Sequence, residues 1–147
     1  MPQAKLKIRR ARQGDAQALA KLSGELGYPA TPADIARRLR MLTPTSKNAV
    51  LVAETSAAGV IGWLHVSLNV LLESEARAEV NGLVVADGQR SLGAGAKLLE
   101  AAEAWARKKR CRAMNVRSNV IRERAHAFYL RQGYEHYKTQ KAFRKPL

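Results

Sequence analysis

The sequence predicts a mixed α+β fold: one sheet of six to seven strands, mostly antiparallel, with about four helices. Three observations lead there. Short apolar or alternating runs recur along the chain, bounded by Gly, Asn, Asp and Ser, as strands are. Four other stretches carry apolar residues at helical spacing with start and stop signals at their ends. One of those helices lies between two apolar strands, and a helical crossover returns the chain parallel to the strand it left. Strands four and five are therefore expected to run parallel.

The 147 residues suffice for one domain with a real core, and we read residues 1–147 as a single domain. No apolar run is as long as a membrane span, so no membrane role is expected. The start, Met1 to Arg10, has no hydrophobic leader core, which points to a cytoplasmic protein. The single Cys111 excludes an internal disulfide and any multi-cysteine zinc site, and no metal is expected. The formal net charge of +14 invites a polyanion: nucleic acid, an anionic membrane or a phosphorylated cofactor. The cations are spread over several segments, and no zinc-finger, basic-zipper or aromatic RNA-binding pattern accompanies them. Nucleic acid is compatible with the charge but not favoured by any motif.

In chain order, Lys5–Arg9 alternates as a short strand. A helix follows from Gly14-Asp15, with Asp15 as cap, Leu19, Leu22 and Leu26 as its apolar stripe, and Gly27 as its stop. Thr31-Pro32-Ala33-Asp34 starts a second helix, with Ile35, Leu39 and Leu42 on one face. Asn48–Glu54 is a continuous apolar run suited to a central strand. Val60–Leu71 alternates, with Leu64, Val66, Leu68 and Val70 on one face and Trp63, His65, Ser67 and Asn69 on the other. The latter row suits either the lining of a site or a half-solvated sheet face.

Arg77–Val85 is the fourth strand. Simple alternation puts Arg77, Glu79, Asn81, Leu83 and Val85 on one face, and Ala78, Val80, Gly82 and Val84 on the other. A long helix follows, closed by Arg107-Lys108-Lys109-Arg110, and then a fifth strand over Ala113–Val116. The last helix has Ser118 or Asn119 as its cap, Ile121, Ala125, Phe128 and Tyr129 along one side, and Gly133 at its end. Tyr134–Tyr137 and Lys141–Arg144 read as two closing strands.

The turn between the fourth strand and the long helix organises the chain. It reads Arg90-Ser91-Leu92-Gly93-Ala94-Gly95 after Leu83-Val84-Val85. Unpaired first-turn N–H groups and the positive end of the helix dipole favour a phosphate there. Gly93 and Gly95 put no side chain in the way, and Arg90 and Lys97 add positive charge. A nucleotide P-loop needs Gly-Lys-Ser/Thr and a dinucleotide fingerprint needs a third glycine, so neither fits.

The Arg-x-x-Gly-x-Gly turn after that strand resembles the acyl-CoA pyrophosphate loop of the GCN5-related N-acetyltransferase (GNAT) superfamily. Arg122 to Tyr134 is similar to that superfamily's second signature, with Ala125, Phe128, Tyr129, Gly133 and Tyr134 in place. The ordered pair extends the resemblance over essentially the whole chain. Two departures stand out: Arg122 replaces the usual Asn, for which Asn119 is a substitute, and Ser91 occupies a common Gly position.

The resemblance implies a GNAT-like sheet with strands four and five parallel and splayed. It implies acetyl-CoA as co-substrate, held by Leu83, Val84, Val85, Arg90, Ser91, Leu92, Gly93, Ala94, Gly95, Asn119 and Phe128. It implies transfer of the acetyl group to a primary amine of a small molecule or protein by direct attack in a ternary complex, with no covalent role for Cys111. Tyr129 is then the proton donor to the leaving thiolate. Glu79, eleven residues before Arg90, resembles the general-base glutamate of the histone-acetylating branch; it is equally a structural carboxylate paired with an arginine. His65 is the second candidate base. Backbone N–H groups near Leu83–Val85 would polarise the thioester carbonyl. Glu73, Glu75 and Glu79 suit a cationic acceptor such as an aminoglycoside, polyamine or protein lysine. A homodimer is compatible with the resemblance. The competing reading is a non-catalytic CoA-binding or nucleic-acid-associated module on the same fold.

Overall fold

The computed structural model describes residues 5–147, the side chain of Ser91 excepted. The reading of Met1–Ala4 as part of a leaderless start lies outside the described residues. A first compact unit runs to Arg117 and a second takes Ser118–Leu147.

In the first unit the strands are β1 (Leu6–Arg10), β2 (Asn48–Thr55), β3 (Gly59–Asn69), β4 (Arg77–Val85) and β5 (Met114–Val116). The helices are α1 (Ala16–Leu26), α2 (Pro32–Leu42) and α3 (Ala94–Lys108). The sheet order is β1-β2-β3-β4-β5, antiparallel except for the parallel β4–β5 pair that α3 bridges.

Both sheet faces are covered, which is why Val52 and Leu64, on opposite faces of adjacent strands, are each fully buried. Gly62 meets Leu98 of α3 on one face, where Leu64 and Val66 also lie. On the other face Val52 packs with Leu19 of α1 and Leu39 of α2, against Trp63. Helix α2 starts with a reciprocal cap: Asp34 N donates to Thr31 Oγ1 (3.0 Å), and Thr31 N donates to Asp34 Oδ2 (3.2 Å). Gly27 ends α1 in the left-handed conformation, φ 98°.

Asp15 departs from expectation. Its carboxylate makes no capping bond to α1. It accepts instead from Arg12 N (2.8 Å) and takes Arg9 Nη1 and Nη2 at 2.9 Å each. Arg9 also donates Nε and Nη2 to Glu54 at 3.0 Å each. This two-carboxylate clamp ties β1, β2 and the entry to α1 together.

The face assignment of β4 also needs correction. His65 pairs with Gly82 and Val66 with Val80, so Asn81 is an extra residue, a β-bulge. The bulge reverses the alternation beyond it. By register with β3, Gly82 and Val84 share the face of Trp63, His65 and Glu79. Leu83 and Val85 fall with Leu64, Val80 and α3.

In the second unit, α4 covers Glu123–Arg131 and Gly133 follows at φ 91°. Neither Ser118 nor Asn119 caps α4, whose N-cap is Arg122 without a side-chain bond. Asn119 Oδ1 accepts from Ile121 N (3.2 Å) in the preceding turn, and Ile121 is outside the helix. The two closing strands expected over Tyr134–Tyr137 and Lys141–Arg144 are absent among the described residues, so the sheet has five strands rather than six or seven. A strand exists only through ladder bonds to a neighbour, and local composition cannot supply that neighbour. His136 instead makes local contacts, Nε2 to Lys138 O (3.1 Å) and Thr139 Oγ1 (2.9 Å).

Candidate active site

The glycine turn takes the form its sequence requires. After β4, Gln89 N donates to Ala86 O (3.0 Å), and a single 3₁₀ turn covers Arg90–Leu92. Gly93 then adopts φ 74°, ψ 20°, a left-handed conformation that costs a residue with a Cβ. Helix α3 follows at Ala94, which is fully buried and anchors the helix start to the core.

The α3 ladder begins with Lys97 N donating to Gly93 O (3.1 Å). The amides of Ala94, Gly95 and Ala96 therefore precede it and have no acceptor within the helix. A Cβ built at Gly93 meets nothing within 4 Å, so the turn is open on that side. Open space, unpaired amides, the helix dipole and two nearby cations fit a pyrophosphate group. Arg90 Nη1 meets Asp87 Oδ1 at 2.9 Å; both side chains are exposed, and such surface pairs are weak enough to exchange for phosphate.

The strand before the turn presents backbone donors. Ala86 N donates to Ile61 O of β3 (2.7 Å). Amides alternate along a strand, so those of Leu83 and Val85 point away from β3. On that side β5 pairs only with Ala78, Glu79 and Val80, leaving Leu83 and Val85 beyond the end of the β4–β5 ladder.

The opposite candidate surface is the face of β3 and β4 that carries Trp63, His65, Ser67, Asn69 and Glu79. Gly82 is needed there, because a Cβ would meet the Trp63 ring at 2.8 Å. His65 Nε2 donates to Asn48 Oδ1 (2.9 Å), since an amide oxygen only accepts. Burial holds the His65 pKa below its ordinary value, favouring the neutral ring. Glu79 has a side chain only 14% exposed. Its Oε2 accepts from Asn69 Nδ2 (3.0 Å), and its Oε1 meets Arg117 Nε at 3.2 Å. Asn81, at the bulge, donates Nδ2 to Ser67 Oγ (2.8 Å).

Arg117 and Asn81 were not singled out by sequence. Asn81 did carry a signal: a poor strand former in the middle of an apolar strand. Arg117 carried none, because its partner depends on the β4–β5 register.

In the second unit, Tyr129 lies on α4 with Phe128 on one side and Tyr134 on the other, ring centroids 5.2 and 5.9 Å away in edge-on geometry. Burial pushes its phenol up to about 12, with Arg122 acting in the opposite direction. The hydroxyl therefore keeps its proton at neutral pH. His126 Nε2 donates to Asn119 O (2.8 Å), a local bond joining α4 to the turn before it.

A sheet bridged by a parallel crossover, a glycine turn opening that crossover helix and a bulged strand before it together define an acetyltransferase fold. The chain belongs to the acetyltransferase (GNAT) family, whose model matches residues 17–134. Among solved structures it is similar to a GNAT family acetyltransferase of Staphylococcus aureus, at 23% identity, with 97% of this chain and 98% of that one covered and a TM-score of 0.74. It is also similar to the aminoglycoside 6'-N-acetyltransferase AAC(6')-Ih of Acinetobacter baumannii, at 18% identity, 97% and 99% coverage and TM-score 0.84. The aminoglycoside N-acetyltransferase AAC(6')-Iy in complex with CoA matches at 17% identity, 99% and 98% coverage and TM-score 0.87. At such identities the likeness is one of fold. No curated protein sequence matches the chain.

Proposed function

We propose that the protein is an acetyl-CoA-dependent N-acetyltransferase that acts on a primary amine of a small molecule or protein within a ternary complex, the whole chain serving as one catalytic domain. The observation that carries this reading is the open, left-handed Gly93 turn at the start of α3, placed directly after a strand whose outer amides run past the end of its neighbour. The family match across both units supports the single-domain reading.

Acetyl-CoA supplies the acetyl thioester. The amides of Leu92, Gly93, Ala94 and Gly95, with the backbone of Ser91 and the Arg90 guanidinium, hold its pyrophosphate. Leu83, Val84 and Val85 line its pantetheine arm, the outward N–H groups of Leu83 and Val85 taking the carbonyl oxygen. Asn119 and Phe128 complete the cofactor contacts. Glu79 removes a proton from the acceptor ammonium, with His65 as the alternative because its ring stays neutral. The freed amine nitrogen bonds to the carbonyl carbon as the carbon–sulfur bond breaks, Tyr129 gives its proton to the leaving thiolate, and the second proton lost from the nitrogen restores the phenol.

The test is thiol release from acetyl-CoA with a panel of aminoglycosides, polyamines and lysine peptides, alongside CoA binding by calorimetry. Amine-dependent release is the expected result. CoA binding without release for any amine would favour a binding module, and no CoA binding would remove the reading altogether.

A further inference from the structure

We propose that Arg117 guards Glu79 and reserves it for polycationic acceptors, diamines and larger polyamines whose ammonium takes the place of the guanidinium. This deepens the acetyltransferase reading and rests on Glu79 facing the acceptor.

The two halves of the Arg117–Glu79 pair differ. The Glu79 side chain is 14% exposed, whereas that of Arg117 is 75% exposed. Asn69 holds the second carboxylate oxygen, so the anion is fixed in place. Arg117 directly follows Val116, the last residue of β5, where the β4–β5 ladder ends, and its long, exposed side chain reaches Glu79 through Nε. An ion pair with one partner so exposed is weak and is screened by salt. A ligand cation that also contacts the surrounding polar row can displace it.

Charge selects what can make that exchange. Replacing guanidinium with ammonium leaves the site's charge unchanged. A neutral or anionic group would instead strand a nearly buried carboxylate without its cation. Arg77 shares the same face, paired across from Asn69, so an incoming cation is tolerated only if Arg117 swings away. Glu73 and Glu75 lie exposed in the connection between β3 and β4, at the end of the sheet that carries Asn69 and Arg77. They place negative charge near the entrance of an otherwise strongly cationic chain, which carries +14 overall. A ligand with two or more ammonium groups uses both features.

The experiment is spermidine binding to the CoA-loaded protein by calorimetry, for wild type, Arg117→Ala, Arg117→Gln, Glu79→Gln and the Glu79→Gln/Arg117→Ala double variant. Removing the guanidinium should tighten spermidine about two- to fivefold at low salt, with the gain shrinking as salt rises. In the Glu79→Gln background the same removal should give no gain. Weaker spermidine binding in Arg117→Ala, or equal tightening with and without Glu79, overturns the proposal. So does a loss of turnover with an amino acid acceptor, which would make Arg117 a carboxylate-binding group. Thiol release by the wild-type protein separates the two levels. If release occurs and spermidine affinity ignores Arg117, the guard fails alone; if CoA neither binds nor is released, the acetyltransferase reading fails with it.

Discussion

At the scale of single residues, two side chains are placed by burial in ways that can be measured. Burial pushes the Tyr129 phenol up to about 12, so it keeps its proton across the neutral range. Tyr129→Phe keeps the ring contacts with Phe128 and Tyr134 and removes only the hydroxyl. With the hydroxyl as the acid, kcat should fall about 10²-fold or more while acetyl-CoA affinity barely changes. Full kcat in that variant would end the assignment. Asp15 has a structural role. Its hydrogen bonds from Arg9 hold its pKa below the ordinary carboxylate value. A depressed carboxylate contributes stability above its unfolded pKa, about 4. That contribution is lost as pH falls through the lower, folded value. Asp15→Asn should therefore cost about 2–3 kcal/mol at neutral pH, because a mostly buried guanidinium loses one of its two anions. The deficit relative to wild type should begin to shrink below about pH 4, as the unfolded chain takes up the proton, and close only as the folded carboxylate protonates at its lower pKa. Thermal melts across that range check the sign.

At the scale of elements, the turn into α3 and the bulge in β4 matter most. Gly93 meets open space but sits at φ 74°, so Gly93→Val adds a branched side chain on the open side and strains the backbone as well. CoA affinity should fall by about tenfold or more, together with a stability loss of about 1–2 kcal/mol from the left-handed conformation. Gly88 also meets nothing within 4 Å but has no positive φ, so Gly88→Ala is the control and should leave both quantities near wild type. Calorimetry with CoA and a melt on the same samples separate lost phosphate contacts from lost folding. If Gly93→Val binds CoA as wild type does, the turn is only a helix start. The bulge at Asn81 serves a different purpose. It turns Gly82 toward Trp63 and leaves Leu83 and Val85 on the α3 side, while Glu79 stays on the polar face.

At the scale of the whole molecule, charge is the dominant feature. A chain carrying +14 attracts a multiply phosphorylated co-substrate from a distance. The acetyl-CoA kcat/KM should fall severalfold as ionic strength rises from about 0.05 to 0.5 M, since the screening length shrinks from over 10 Å to a few. A small cationic acceptor should respond in the opposite direction at fixed, saturating acetyl-CoA, because screening relieves its repulsion from the same charge. Steady-state kinetics at several salt concentrations test both signs. Among the described residues no helix is long and apolar enough to cross a membrane.

The sequence alone determined most of the features that depend on neighbours a few residues away. Apolar period placed β2, β3, β4 and all four helices within a few residues, because the pattern and the periodicity of an element are both local. Thr31-Pro32-Ala33-Asp34 announced the α2 cap and Gly27 the end of α1, because side-chain reach and the absence of a Cβ act within one turn of chain. The parallel β4–β5 crossover followed from strand–helix–strand order and handedness. Tertiary structure decided what depends on register. The bulge at Asn81 exists only against β3 and reversed the facing of Leu83 and Val85, which simple alternation put beside Glu79. Asp15 served Arg9 rather than α1 because the turn after β1 brought Asp15, and β1–β2 pairing brought Glu54, around one guanidinium. The closing strands were absent because strand propensity does not provide a ladder partner. The Glu79–Arg117 pair spans 38 positions of sequence and arises because β5 stops beside Val80, placing Arg117 within reach of Glu79; no local pattern encodes such a distance.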